Sequence, residues 1–182
     1  MNSRIILEKK QLDITIDRLC YELIERLGDF SNTALIGMQP RGIYLSRRIK
    51  DKLADILGKQ PFDYGELDIS FYRDDFRRGN EQIVPSELKI DFTIQDKKIV
   101  LVDDVLYTGR TIRAALEAIN DFGRPDKVEL LVLVDRKYSR DLPIHPDYVG
   151  IKVDTRAHDK VKVEWKDNSK KDQVSIITTE RE

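Results

Sequence analysis

The chain has 182 residues, 40% hydrophobic and 36% charged, with 32 Lys and Arg against 33 Asp and Glu for a formal net charge of −1. That is enough chain for one domain with a real core, and the charge balance excludes a globally basic nucleic-acid binder while leaving room for a local basic patch. The single cysteine, Cys20, excludes an intrachain disulfide and a cysteine-rich zinc site, and with no apolar run of membrane-spanning length and no signal-peptide pattern a cytoplasmic protein is expected.

Arg4 to Leu7 is a short apolar segment that packs a terminus onto the body. Leu12, Ile16, Leu19, Cys20, Leu23, Ile24 and Leu27 recur at helical spacing, and Gly28 supplies the stop. Cys20 falls on that apolar stripe and reads as a buried thiol. Thr33 to Met38 reads as a buried strand, followed by the turn Gln39-Pro40-Arg41-Gly42 and a helix from Ile43 to Leu57. Glu66 to Tyr72 alternates as a strand does, and Arg73 to Ser86 is a charged loop. Leu88 to Ile94 alternates weakly and reads as the returning arm of a hairpin. Ile99 to Val102 is an apolar run of the kind found in strands buried on both faces of a parallel sheet. A helix from Ile112 to Phe122 follows, ended by Gly123-Arg124-Pro125, and Val128 to Val134 is another central strand. Arg136 to Gly150 holds two prolines and many charges and reads as an irregular cap. Val161, Val163 and Trp165 alternate with charges, and Val174 to Ile177 completes a pair of short strands. The expected fold is α/β: a mostly parallel central sheet flanked by helices, with a flexible loop and a small cap. No repeat or linker divides residues 1–182 into two domains.

The richest stretch runs from Ile99 to Thr111, where the apolar strand ends in Asp103 and Asp104 and a Thr108-Gly109-Arg110-Thr111 turn opens a helix. Ligands of open α/β sheets sit just beyond the carboxyl ends of the strands. The turn offers backbone N–H groups, two threonine hydroxyls and a helix N-terminus, which together suit a phosphate. Two carboxylates beside such a cradle suit a ligand carrying both a vicinal diol and a phosphate, as phosphorylated ribose does. Earlier in the chain, Gly37 to Gly42 lies between a buried strand and a helix, where glycine permits close backbone approach and Arg41 offers a bidentate fork to a pyrophosphate.

The Asp103–Thr111 segment resembles the phosphoribosyl-pyrophosphate (PRPP) signature of type I phosphoribosyltransferases. The resemblance implies that Asp103 and Asp104 hold the ribose 2′- and 3′-hydroxyls and that Tyr107, Thr108, Gly109, Arg110 and Thr111 wrap the 5′-phosphate. It also implies that Gln39, Pro40, Arg41 and Gly42 bind the leaving pyrophosphate, and that Tyr72, Arg73, Asp74, Asp75, Arg77 and Arg78 belong to a lid, about residues 73–86, that excludes water from a cation-like reacting centre. Asp135 and Arg136, at the end of the second central strand, are placed to face the base. The cap, about residues 136–182 with the N-terminal segment, would read the base edge through its backbone. Mg²⁺ carried in with PRPP is the implied cofactor, with Asp103 and Asp104 as the candidate protein ligands. Asp103, Asp104 and Arg41 are the candidate catalytic residues. His145 and His158 lie outside the signature and read as surface residues.

Asp68 to Asp75, Val102 to Thr111, Gly123-Arg124-Pro125, Val134-Asp135-Arg136, and Leu142 to Ile144 with Asp147 to Gly150 together resemble the PyrR family of bifunctional uracil phosphoribosyltransferases and pyrimidine operon regulators. That resemblance implies conversion of uracil and PRPP to UMP and pyrophosphate, a homo-oligomer (dimer or larger), and binding of an mRNA leader when UMP or UTP is bound. Arg18, Arg26, Arg156 and Lys160 are the candidate RNA contacts. The first helix, however, sets Asp13, Asp17, Glu22 and Glu25 against Arg18 and Arg26, opposite in sign to what a phosphate backbone requires. Tyr21 stands where a histidine is expected, and Asp135 to Pro143 is one residue longer than the usual pattern. Two alternatives stay open: a nucleotide-sensing RNA-binding regulator with vestigial catalysis, and a phosphoribosyltransferase for another base.

Overall fold

In a computed structural model, residues 2–69, 90–156 and 158–178 are described. Strand β1 (Asn2–Leu7) leads into helix α1 (Lys9–Leu27), followed by β2 (Thr33–Met38), α2 (Gly42–Leu57) and β3 (Asp63–Leu67). Beyond residue 90 come β4 (Lys98–Leu106), α3 (Arg110–Phe122), β5 (Lys127–Lys137), β6 (Tyr148–Asp154), β7 (Asp159–Glu164) and β8 (Gln173–Thr178). Five strands form a parallel sheet in the order β3-β2-β4-β5-β6, and three form an antiparallel sheet in the order β1-β8-β7.

The strand alternation divides the core in two. In β4, Val100 and Val102 join one apolar cluster with Leu12, Leu19 and Leu23 of α1 and Leu45, Ile49 and Leu53 of α2. Ile99 and Leu101 turn the other way, onto Ile112, Ala115, Ala118 and Ile119 of α3. Leu131 and Leu133 of β5 fall in the first cluster, and Leu130 and Val132 in the second. Both faces of β4 and β5 are therefore covered, which is why Ile99–Val102 and Leu130–Val134 carry no polar residue. Each fully buried leucine contributes about 1.5–3 kcal/mol. The same clusters hold Cys20, whose thiol is pushed up to about 12 by burial and is inert at neutral pH.

The central strands and the three helices fall where periodicity places them, with differences at the edges. Helix α1 starts at Lys9, because Glu8 and Gln11 form a reciprocal capping box in which the Gln11 side chain accepts from the Glu8 N–H at 3.0 Å. Lys9 and Lys10 thus belong to the helix and, together with Arg18 and Arg26, balance its four acids. The expected strand at 66–72 begins earlier, at Asp63, where it pairs with Ala34 at the edge of the sheet. Residues 90–94 carry no strand, and 70–89 lie outside the described residues. The larger correction concerns the cap. Residues 138–147 are irregular as expected, but Tyr148–Asp154 is the fifth strand of the main sheet, parallel to β5 from Leu131↔Tyr148 to Lys137↔Asp154. Its sequence concealed it because an edge strand is covered unevenly: Tyr148 and Val153 are buried, whereas Lys152 and Asp154 face out. The rest of the cap is the three-stranded sheet, with β1 as one edge.

Candidate active site

Strand β4 runs on past its apolar stretch, so Asp103 and Asp104 lie within it, 7% and 5% exposed. The Asp104 N–H donates to Asp103 Oδ1 at 2.9 Å, while Asp104 Oδ2 is buried with no hydrogen-bond partner among the described residues. Burial raises the pKa of both carboxyls; the Asp104 charge adds to the effect on Asp103, and the Arg41 guanidinium opposes it at both. An orphaned buried carboxylate oxygen costs several kcal/mol unless a ligand satisfies it. This pair is poised to accept hydroxyl hydrogens or to ligate a cation.

The Gln39–Gly42 turn, between β2 and α2, comes to the same place. The Gln39–Pro40 peptide is cis. A Cβ on Gly42 would sit 2.4 Å from Val102 O and 3.0 Å from Asp103 Cα, so glycine is what lets this turn press against β4. Arg41 is exposed at the rim, and its charge reaches both aspartates.

At the end of β4 the chain turns through Tyr107, Thr108 and Gly109 into α3. Gly109 adopts φ +90°, a conformation that favours glycine, and is the N-cap of α3. The Arg110 N–H leans on Thr108 Oγ1 at 3.4 Å, and the Arg110 side chain pairs with Asp141 at 3.0 Å. A helix N-terminus with adjoining turn amides is the kind of arrangement that suits an anion.

Gln39, Pro40, Arg41, Asp103, Asp104, Tyr107, Thr111 and Arg136 line one cleft of about 520 Å³, closed on its far side by Lys160 and Val161 of β7. The structure thus brings together the three sequence-predicted clusters and adds the edge of the small sheet. Arg136 is 5% exposed; its Nε donates to Thr155 Oγ1 and its Nη2 to Asp159 O, each at 3.0 Å, and its guanidinium lies 3.9 Å from the Tyr107 ring centre. Burial lowers its pKa, against the pull of Tyr107 and Asp159. Asp135, by contrast, is ion-paired with Arg140 and does not line the cleft. The lid residues Tyr72, Arg73, Asp74, Asp75, Arg77 and Arg78 lie outside the described residues. His145 and His158 are exposed, and among the described residues no group of three His, Cys, Asp or Glu could hold a metal ion.

The basic residues considered for RNA are dispersed. Arg18 Nη2 donates to Val149 O at 2.8 Å and Gly150 O at 2.5 Å, and Arg26 Nη1 donates to Asp147 O at 2.9 Å while stacking on Tyr148. Arg18 satisfies carbonyls of β6, the edge strand of the main sheet, and Arg26 the carbonyl just before it, which blunts that edge. Lys160 lies in the cleft, and Arg156 is exposed beside Asp159. Sequence reasoning missed Arg140, which joins β4 to β5; a lone arginine in an irregular segment carries no periodicity to mark it.

Residues 3–168 match the family profile described as the phosphoribosyl transferase domain. The chain is 44% identical over 174 residues to a bifunctional protein PyrR of Elusimicrobium minutum (strain Pei191), with 96% of each chain covered. It is 39% identical over 176 residues to a bifunctional protein PyrR of Bacillus mycoides (strain KBAB4), covering 94% of this chain and 96% of the relative. Among solved structures it is similar to the hypoxanthine phosphoribosyltransferase of Trypanosoma cruzi, with a TM-score of 0.72 at 16% identity and 97% of each chain covered. It is also similar to that of Staphylococcus aureus, with a TM-score of 0.65 at 18% identity, covering 84% of this chain and 79% of the other. At such identities the structural likeness shows the fold alone.

Proposed function

The chain belongs to the phosphoribosyltransferase family and, within it, to the PyrR proteins, and from that membership we propose that it converts uracil and PRPP to UMP and pyrophosphate. The observation that carries this reading is the orphaned Oδ2 of Asp104, a residue that lines, beside Asp103, the same cleft as Tyr107 and Thr111 of the turn into α3. A ribose diol supplies hydroxyl donors to that pair, while its 5′-phosphate takes the amides and hydroxyls of residues 108–111. Gln39 to Gly42 then receive the pyrophosphate on C1, with Arg41 as the cation nearest the leaving group.

Loss of pyrophosphate leaves C1 with oxocarbenium character, and uracil N1 attacks that carbon and releases its proton. The protein's share is positioning and charge: Asp103 and Asp104 fix the ribose, Arg41 offsets developing negative charge, and Arg136 with the β7 backbone borders the base subsite. Asp103 and Asp104 would hold Mg²⁺ brought in with PRPP, and the cation would supply positive charge at the leaving group and favour the charged form of the aspartates. Hard oxygen donors on just two adjacent carboxylates fit a cation that brings its remaining ligands with it.

The same nucleotide site supports the second activity of the family, uridine-nucleotide-dependent binding of an mRNA leader, with Arg156 and Lys160 as candidate contacts. We take the protein to be a single-domain, cytoplasmic homo-oligomer; no described helix is long and apolar enough to cross a membrane. The test is UMP formation from uracil and PRPP with Mg²⁺, with hypoxanthine and orotate as competing bases. Uracil-specific turnover is expected. Binding of UMP without turnover favours the regulator, and turnover with hypoxanthine instead assigns another base.

A further inference from the structure

We infer that Arg140 is a positioning residue for the phosphate loop: from behind, it sets the direction in which the loop's amides face. The inference rests on the reading that residues 108–111 hold a 5′-phosphate. The last ladder pair between β4 and β5 is Leu106↔Asp135. Beyond it the two strands diverge, and their terminal carbonyls need other donors.

The Arg140 guanidinium supplies them. Nη1 donates to Leu106 O at 3.2 Å, to Arg136 O at 3.1 Å and to Tyr107 O in a shorter contact; Nε donates to Ile144 O at 3.1 Å, and Nη2 pairs with the Asp135 carboxylate. The chain reaches this position by reversing at Tyr138, which is 89% exposed and adopts φ +59°. The two residues after Arg140 continue the grip. Asp141 N and Leu142 N donate to Thr108 O at 3.0 and 3.2 Å, and the Asp141 carboxylate takes Arg110. Ile144 Cδ1 would lie 3.1 Å from a Cβ on Gly109, so the underside of the loop is filled.

The geometry has a direct consequence for anion binding. In a planar trans peptide the N–H points opposite to the C=O of the preceding residue. Pulling Tyr107 O back onto Arg140 turns the Thr108 N–H forward, and pulling Thr108 O onto Asp141 and Leu142 turns the Gly109 N–H forward. The amides that cradle a phosphate are thus oriented by donors that never touch it. A planar fork is required, because one group must reach two strand ends and a carboxylate together; an ammonium on a flexible stem reaches fewer of them. The Arg41 turn, on β2 and α2, shares none of these bonds.

The test compares Arg140→Lys with the unmodified protein, measuring UMP and GMP binding by calorimetry and the KM values for PRPP and uracil. Arg140→Lys is expected to weaken UMP binding and raise the PRPP KM about ten-fold each, with the uracil KM changed less than two-fold. Unchanged UMP binding in a folded variant overturns the inference, and so does an equal rise in both KM values, which marks a general loss of structure. Should Arg140→Lys not fold, Asp141→Asn, at the exposed rim of the same segment, is expected to raise the PRPP KM about three-fold; no change overturns the inference. Failure of the unmodified protein to bind either nucleotide overturns the phosphate reading itself, a result distinct from any difference between variants.

Discussion

Two buried acidic groups, at opposite ends of neighbouring strands, have opposite chemistry. Near the amino end of β5, Glu129 is 6% exposed, accepts from Tyr148 Oη at 2.6 Å and is ion-paired with Lys127. Burial pushes its carboxyl up, but these two partners outweigh it and hold the pKa below the ordinary 4.5. At the carboxyl end of β4, Asp103 and Asp104 are as deeply buried, lean on each other, and have pKa values raised above the ordinary 3.8. A satisfied carboxylate belongs to the fold. A pair left with an orphaned oxygen carries a cost that folding does not recover, and the ligand is what repays it.

The comparison is most sharply tested by Asp104→Asn, which keeps shape and removes charge. Turnover is expected to fall roughly 100-fold, the worth of a charged hydrogen bond to substrate, with the melting temperature held or raised; normal steady-state kinetics would break the assignment. Glu129→Ala inverts the pattern. It strands the buried Tyr148 hydroxyl and is expected to cost about 1–3 kcal/mol in chemical denaturation, with kcat unchanged. Loss of activity without loss of stability would show that Glu129 is not structural.

The two ends also tilt the pH dependence in opposite senses. The raised pKa values of Asp103 and Asp104 mean that their contribution is fully present below 3.8 and is lost as pH rises through the folded-state values. Glu129, with its lowered value, contributes above 4.5 and loses that contribution as pH falls through its folded-state value. Without ligand, the melting temperature of Asp103→Asn relative to the unmodified protein should climb as pH rises above 3.8, whereas that of Glu129→Gln should recover towards it below 4.5. Parallel curves would erase the distinction. The smallest effect concerns backbone strain, also held at the ligand end. Tyr138→Gly, at an exposed residue with φ +59°, is expected to stabilise by between a few tenths and about 1 kcal/mol, read from urea unfolding.

What the sequence made legible follows from how each residue is used. Strands β2, β4 and β5 are buried on both faces and show as apolar runs, broken in β5 by Glu129 alone before Asp135, and the acids and glycine at their ends stand out against that background. Strand β6 was hidden because its outer edge is covered by Arg18 and Arg26 rather than by another strand. The same pairs show why a basic residue on a helix cannot be assigned to RNA by charge alone: the carbonyls that Arg18 and Arg26 bind lie more than 100 positions away. Arg140 escaped for a related reason, since its five acceptors meet only when β4, β5 and the irregular segment are assembled. The carboxylate pair was visible as a motif; its orphaned oxygen was visible only in three dimensions.

The small sheet has a consequence for how the protein comes into being. Strand β8 lies between β1 and β7, and β1 finds it across the entire five-stranded sheet, with Asn2 opposite Thr178. Such a closure is costly in loop entropy and comes late. On the ribosome, all five strands of the large sheet, with their aspartates and phosphate loop, are made before β8 emerges to join its neighbours. A nascent chain can therefore assemble the end of the cleft that carries Asp103, Asp104 and Gly109 first, and it acquires the wall that carries Lys160 and Val161 only as β7 and β8 pair.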